Sequence, residues 1–190
     1  MRILGISGSL RTGSHNARLL RGAAMLLPLG VTLEPWDGLG TLPLFNEDIE
    51  HHYIPEVEAL RDALRSADGL LIATPEYNSS IPGALKNAVD WASRPPGRSA
   101  LHGVPVAVIG ASTSRFGAVW AQAELRKVLD HVGAQLVGGG LPVPMAHERI
   151  DDDGRPSDPE RAAKLAALLA ALVSTVRRRN DLNGDQDLAA

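Results

Sequence analysis

Short apolar runs alternate with stretches of helical spacing along most of the chain. "RILGIS" (2–7) reads as a buried strand, and "NARLLRGAAMLL" (16–27) follows with helical periodicity before Pro28 and Gly30. "VTLEPW" (31–36) is a second, shorter strand. "PEVEALRDALRSA" (55–67) places Val57, Leu60 and Leu64 on one helical face, with Pro55 in the first turn, where its missing N–H costs nothing. "GLLIAT" (69–74) is continuously apolar, as a strand covered on both faces must be. A helix (82–92), a strand (104–110), a helix (118–132) and a last strand in "GAQLVGG" (133–139) complete the alternation. The final helix is marked by Ser157 and Glu160 at capping-box spacing and Pro159 in the first turn. Its apolar stripe is Leu165, Leu168, Leu169, Leu172, Val173 and Val176, closed by Arg177, Arg178 and Arg179 at the negative end of the helix dipole.

Five strands alternating with helices predict an α/β fold, a five-stranded parallel sheet between two helical layers. One domain is expected over residues 1–179, with 180–190 a disordered polar tail. In open parallel sheets ligands sit beyond the carboxyl ends of the strands, at the topological switch point. That rule singles out three loops: 8–16, 75–82 and 111–117.

Composition narrows the chemistry. The chain has no cysteine, which removes thiolate catalysis, Cys-based zinc sites and disulfides, and fits a reducing, cytoplasmic setting. A net charge of −3 gives no general attraction to nucleic acid or anionic membrane. No apolar run approaches the ~20 residues of a membrane span, and the N-terminus carries no secretory leader pattern. The chain is expected to be soluble, to act on small molecules and to hold no metal.

In the first loop, "GSLRTGSHN" (8–16), Gly8 and Gly13 allow tight turns. Ser9, Thr12 and Ser14 offer hydroxyls, Arg11 a fixed charge, and Asn16 an amide at the helix start. Free N–H groups there complete an anion site. A Walker loop needs a lysine this stretch lacks, and a dinucleotide loop needs G-x-G-x-x-G spacing, which is absent. A phosphate monoester fits best; a helix-capping turn is the alternative. In the second loop, "TPEYNSSIPG" (74–83), Pro75, Glu76, Tyr77 and Asn78 lie at the rim, suited to a flat heteroaromatic ring. An ordinary strand-to-helix turn is the alternative. In the third, "GASTSRFG" (110–117), Ser112, Thr113 and Ser114 approach the same ligand from the other side. Arg115 is placed to neutralise an anionic substrate or a reduced ring, or else is a solvated surface charge.

Together "GSLRTGSHN", "TPEYNSSIPGALKNAVDW" and "GASTSRFG…AQAELRKVL" resemble, in order and over roughly residues 2–140, the NADPH-dependent FMN reductase family, flavodoxin-like enzymes that include quinone, azo-dye and chromate reductases. The resemblance implies a flavodoxin-like three-layer α/β/α fold and bound FMN, with NADPH or NADH as electron donor. It implies ping-pong transfer to small-molecule acceptors such as quinones, azo compounds, metal oxyanions or free flavin, and a homodimer or homotetramer. Ser9, Arg11, Ser14, His15 and Asn16 then hold the phosphate, and Pro75, Glu76, Tyr77 and Asn78 line the isoalloxazine. Ser112, Thr113 and Ser114 complete the cradle, and Arg115 and Phe116 face the substrate. No side chain is catalytic in its own right; the flavin carries the chemistry. Ser114 stands where relatives often have glycine, so a positive φ there would strain it; Trp120 stands where they often have arginine. A non-enzymatic flavodoxin-type carrier and a Rossmann enzyme gripping a ribose through Glu34 are the rival readings.

Other features attract blander explanations. His51 and His52 read as an exposed pair, Asp151 to Asp153 as a solvated turn, and Lys86 and Asp90 as an i, i+4 ion pair. The long 37–53 loop is expected beside the flavin.

Overall fold

The computed structural model describes the backbone of residues 1–187 and the side chains of residues 1–182. The parallel sheet consists of β1 (Arg2–Ser7), β2 (Thr32–Trp36), β3 (Gly69–Thr74), β4 (Pro105–Ala111) and β5 (Gln135–Val143), in the order β2-β1-β3-β4-β5. This is the flavodoxin-like order, whose switch point falls between β1 and β3. Prolines obey the rule that a missing N–H belongs at an edge or a strand start. Pro35 and Pro142 lie on the edge strands β2 and β5, and Pro105 opens β4.

Strand alternation divides the core in two. Leu4, Ile6, Leu70, Ile72, Val106 and Val108 face α2 (Pro55–Arg65), α3 (Gly83–Ala92) and α4 (Val119–His131). Ile3, Leu71, Ala73, Ala107 and Ile109 face α1 (His15–Ala24) and α6 (Pro159–Asp187). β3 and β4 are buried at every position, which is why they read as unbroken apolar runs.

Three expectations change. β5 runs on to Val143, because the Gly138–Gly140 stretch is a bulge: the register with β4 jumps between Ala107 and Ile109, and the strand resumes beyond it. The cap of α6 is Asp158, whose Oδ1 accepts from the Glu160 N–H at 3.1 Å; Ser157 instead donates its backbone N–H to the Arg149 carbonyl. The helix also passes Arg179 and continues to Asp187, where a disordered tail was expected. At the start of this extension Arg179 Nη1 donates to the Asp68 carbonyl and Asn180 Nδ2 to Asp68 Oδ1 at 3.1 Å. Residues 188–190 lie outside the described residues.

The 37–53 loop is anchored on α3. Asn87 Oδ1 accepts from the Phe45 N–H at 2.7 Å, Asn87 Nδ2 and Trp91 Nε1 both donate to the Pro43 carbonyl, and Phe45 meets Trp91 edge-on. Its Gly40 lies beside Leu10 of the first loop. A four-residue helix, α5 (Ala146–Arg149), follows β5 and is held by bonds from Met145 N–H to the Ser114 carbonyl and from Ala146 N–H to the Ser112 carbonyl.

Candidate functional site

The carboxyl ends of β1, β3 and β4 bring the three loops together. Gly8 N–H donates to the Ala73 carbonyl at 2.8 Å. A Cβ at Gly8 would approach Leu85 to 2.9 Å and Pro75 to 3.2 Å, so the first loop passes the second closely enough to exclude a side chain. Asn16 fastens the first loop to the third. Buried to 3% exposure, it donates from Nδ2 to the Ala111 carbonyl at 3.0 Å and accepts the Ala111 N–H on Oδ1 at 2.9 Å.

Ser14 is the N-cap of α1, its Oγ accepting the Ala17 N–H at 3.2 Å. The Arg18 N–H goes to the Ser14 carbonyl, whereas the N–H groups of His15 and Asn16 meet no acceptor among the described residues. The helix therefore opens toward the crevice with free donors and the positive end of its dipole. Ser9 follows β1, its N–H donating to Ser7 Oγ at 3.4 Å. Arg11 is exposed, with a long contact of 3.4 Å to the Gly13 carbonyl. His15 Nδ1 is closed off from solvent and has no partner. Burial, then the charges of Arg18, Arg11 and His147, hold His15 below the ordinary histidine pKa.

In the second loop Tyr77 and Ser80 exchange backbone hydrogen bonds, with Asn78 and Ser79 between them at φ 52° and 61°. Two left-handed residues inside mutual bonds make a tight type I′ turn. Pro75 is buried and Tyr77 is 47% exposed at the rim. Glu76 turns to α4, where its Oε2 accepts the N–H groups of Trp120 (3.0 Å) and Ala121 (3.1 Å). Ser80 Oγ donates to Glu124 Oε2 at 2.6 Å. Glu76 thus caps α4 from another loop, supplying the negative charge that the helix's own first turn lacks.

In the third loop Ser112 and Ser114 bond each other, and Ser114 Oγ also accepts from the Phe116 N–H. The left-handed positions are Gly117 and Ala118, at φ 63° and 61°, so Ser114 escapes the strain expected of it. Thr113 is exposed. Arg115 lies over the Phe116 ring (4.8 Å) and Phe116 against Trp120 (4.6 Å between centroids), an exposed cation–aromatic stack beside the Glu76 cap.

Two groups here escaped the sequence reading. Gln122 is buried, donating from Nε2 to the Gly117 carbonyl and accepting the Leu141 N–H on Oε1, so it fixes the third loop to the β5 bulge. His147 follows the end of β5, and the rule that ligands gather at strand carboxyl ends would have found it. A cavity of about 1230 Å³ lies elsewhere: a groove along α3 and α4 lined by residues such as Lys86, Asp90, Lys127 and His131 and by none of the three loops. Among the described residues no cluster suited to a metal occurs, and no helix is long and apolar enough to cross a membrane.

The fit to a phosphate-bearing flavin rests on this geometry. Free amides at the start of α1 and the exposed Arg11 guanidinium offer donors and charge, as an anion requires.

Comparison with known proteins agrees. The chain is 43% identical over 180 residues to an NAD(P)H-dependent FMN reductase of Pseudomonas aeruginosa, covering 94% of this chain and 96% of that one. It is 36% identical to a 2-hydroxy-1,4-benzoquinone reductase from a Burkholderia species, covering 94% and 98%. Among solved structures, the flavoenzyme NAD(P)H:(acceptor) oxidoreductase FerB of Paracoccus denitrificans superposes with a TM-score of 0.81 at 34% identity, covering 93% and 97%. The family model described as NADPH-dependent FMN reductase matches residues 1–148, which span all three loops and the sheet, and the chain belongs to that family of oxidoreductases.

Proposed function

We propose that this protein is an FMN-containing reductase that takes electrons from NADPH or NADH and delivers them to quinone-type and related small acceptors in alternating half-reactions. The observation that carries the reading is the convergence of the three loops on one crevice, with free amide donors and the exposed Arg11 guanidinium at the α1 end and an exposed aromatic rim at the other. FMN bound there would supply the two-electron redox chemistry that links the nicotinamide donor to the acceptor.

The chain's own residues bind and orient. Ser9, Arg11, His15 and the first-turn amides of α1 hold the phosphate. Ser14 and Asn16 keep that cradle in shape, because their side chains are already engaged with the backbone. Tyr77 and the amides of the type I′ turn border the ring, and Glu76 holds the turn against α4. Arg115 and Phe116 form the outer wall on which an aromatic acceptor packs. Exposed Tyr77, Phe116 and Trp120 at the same rim support a second role for that wall, contact with another copy in a homodimer or homotetramer. A chain without cysteine suits the cytoplasm.

The test is direct. Purified protein should be yellow, or take up FMN stoichiometrically; anaerobic NADPH should bleach it, and a benzoquinone should restore the colour. Steady-state rates at varied NADPH and quinone should give parallel double-reciprocal lines. Failure to retain or take up FMN refutes the proposal; intersecting lines refute the alternating mechanism, and bleaching without turnover points to an electron carrier.

A further inference from the structure

The third loop carries a charge that neither FMN nor a plain quinone uses. Arg115 is exposed, and its guanidinium lies 4.8 Å over the Phe116 ring. No hydrogen bond occupies its N–H donors among the described residues, so the ring steadies the cation and leaves its fork open. Phe116 in turn meets Trp120, and both rings are open to solvent, at 42% and 46% exposure. The backbone beneath them is fixed on either side. Met145 N–H donates to the Ser114 carbonyl, Phe116 N–H to Ser114 Oγ, and Gln122 Nε2 to the Gly117 carbonyl. This wall adjoins the second loop, because the Trp120 N–H donates to Glu76, the neighbour of Tyr77. The acids at the rim are engaged by other groups. Glu76 accepts the Trp120 and Ala121 N–H groups, Glu124 accepts from Ser80 Oγ, and Glu148 lies 3.2 Å from His147. Arg115 has no carboxylate partner among the described residues.

Resting on the reductase reading above, we propose that Arg115 selects acceptors that carry a negative charge: the quinone ring packs on Phe116 and Trp120 while its sulfonate, carboxylate or ionised hydroxyl takes the free edge of the guanidinium. The two aromatic rings hold neutral and charged quinones alike, so they confer no such choice. The guanidinium supplies the difference, because its paired N–H bonds to an oxyanion are charge-assisted and matched in geometry. Water and salt still reach an exposed pair, which limits the preference to roughly three- to tenfold. A lysine keeps the charge without the planar fork and retains only part of it. The phosphates of the dinucleotide donor are the competing use of the same charge, and the experiment separates them from the acceptor.

The test uses the FMN-loaded native chain, Arg115→Gln and Arg115→Lys, each reduced photochemically so that no nicotinamide is present. Each is mixed anaerobically in stopped flow with a methyl-substituted naphthoquinone or with the corresponding naphthoquinone sulfonate, and flavin reoxidation is followed. Intrinsic differences between the two quinones cancel when the sulfonate-to-neutral ratio of second-order rates is compared between proteins. That ratio should fall roughly three- to tenfold in Arg115→Gln and recover in part in Arg115→Lys. In the native chain it should shrink as salt rises from about 0.02 M to about 0.5 M. Naphthalene sulfonate, which has no quinone to reduce, gives a readout without turnover: its binding to the oxidised protein, followed by tryptophan quenching, should weaken severalfold in Arg115→Gln. An unchanged ratio with unchanged naphthalene sulfonate affinity overturns the role of Arg115 and leaves the reductase intact. A variant whose only loss is slower bleaching by NADPH overturns it too, because the arginine then serves the donor. A native protein that holds FMN yet is reoxidised by both quinones no faster than free reduced FMN overturns the reductase reading itself.

Discussion

Replacing Asn16 by alanine tests whether that residue is a fastening or a ligand. Its side chain fills both backbone valences of Ala111, a residue with 2% exposure at the end of β4. Truncation strands the Ala111 N–H, at about 1–3 kcal/mol for a buried donor without a partner, and removes a second bond of about 1 kcal/mol. The sum, roughly 2–4 kcal/mol, lowers the midpoint of thermal unfolding by roughly 5–15 °C in a chain of this length. The assay is thermal and urea unfolding of the apoprotein, so that no ligand contributes. Asn16→Asp separates the two bonds: it keeps an acceptor for the Ala111 N–H but sets an oxygen against the Ala111 carbonyl. Its loss should be large at neutral pH and shrink in acid, where the carboxyl can donate. Thr113→Ala, at an exposed position of the same crevice, should stay within about 0.5 kcal/mol. An Asn16→Ala apoprotein as stable as the native one would refute the fastening and return Asn16 to the ligand set.

Glu76→Ala should cost about 1–2 kcal/mol, because it frees the Trp120 and Ala121 N–H groups at the start of α4, and hydrogen exchange should accelerate at those amides first. Gly154→Ala should be among the most damaging single changes, losing more than about 2 kcal/mol in urea unfolding: its φ is 88° and a Cβ would meet the Arg18 carbonyl of α1. Asp68 is held below the usual carboxylate range: burial opposes ionisation, but the Arg2 N–H bond at 2.7 Å, aided by Asn180, outweighs it. Its contribution is therefore full above the ordinary aspartate pKa and lost as pH falls through the lowered one. The stability gap between native and Asp68→Asn proteins, measured by unfolding at a series of pH values, should close in that acidic window, and a constant gap would remove the assignment.

The architecture was legible because burial on two faces leaves a plain signal. β3 and β4 read as unbroken apolar runs, and the α6 stripe from Leu165 to Val176 is buried throughout. β5 was cut short because its glycines look like a turn, whereas they form a bulge that Gln122 braces from α4. Asp158, not Ser157, caps α6, since spacing alone does not fix which of two adjacent polar residues adopts the cap geometry. The site was legible as three loops, but not in the duties of its side chains. Ser14, Asn16 and Glu76 sit where a ligand-binding motif places them, and each spends its hydrogen bonds on backbone within the protein. Those partners lie on other elements or the next helical turn, and Asn16 to Ala111 spans 95 residues, a distance local patterns do not carry.

That division of labour explains why such a motif can be both long and chemically quiet. A cradle of backbone amides has no side chain to specify it, so the sequence must specify the backbone path instead. Gly8 lets two loops pass within contact distance, Asn78 and Ser79 take the left-handed turn, and Gly117 and Ala118 turn the chain into α4. Asn16, Glu76 and Gln122 then lock the three paths to one another and to the bulged edge strand. Substitutions in the lock should therefore change stability and cofactor affinity together. Changes at Arg11 or His15, which hold nothing else firmly in place, should change affinity alone.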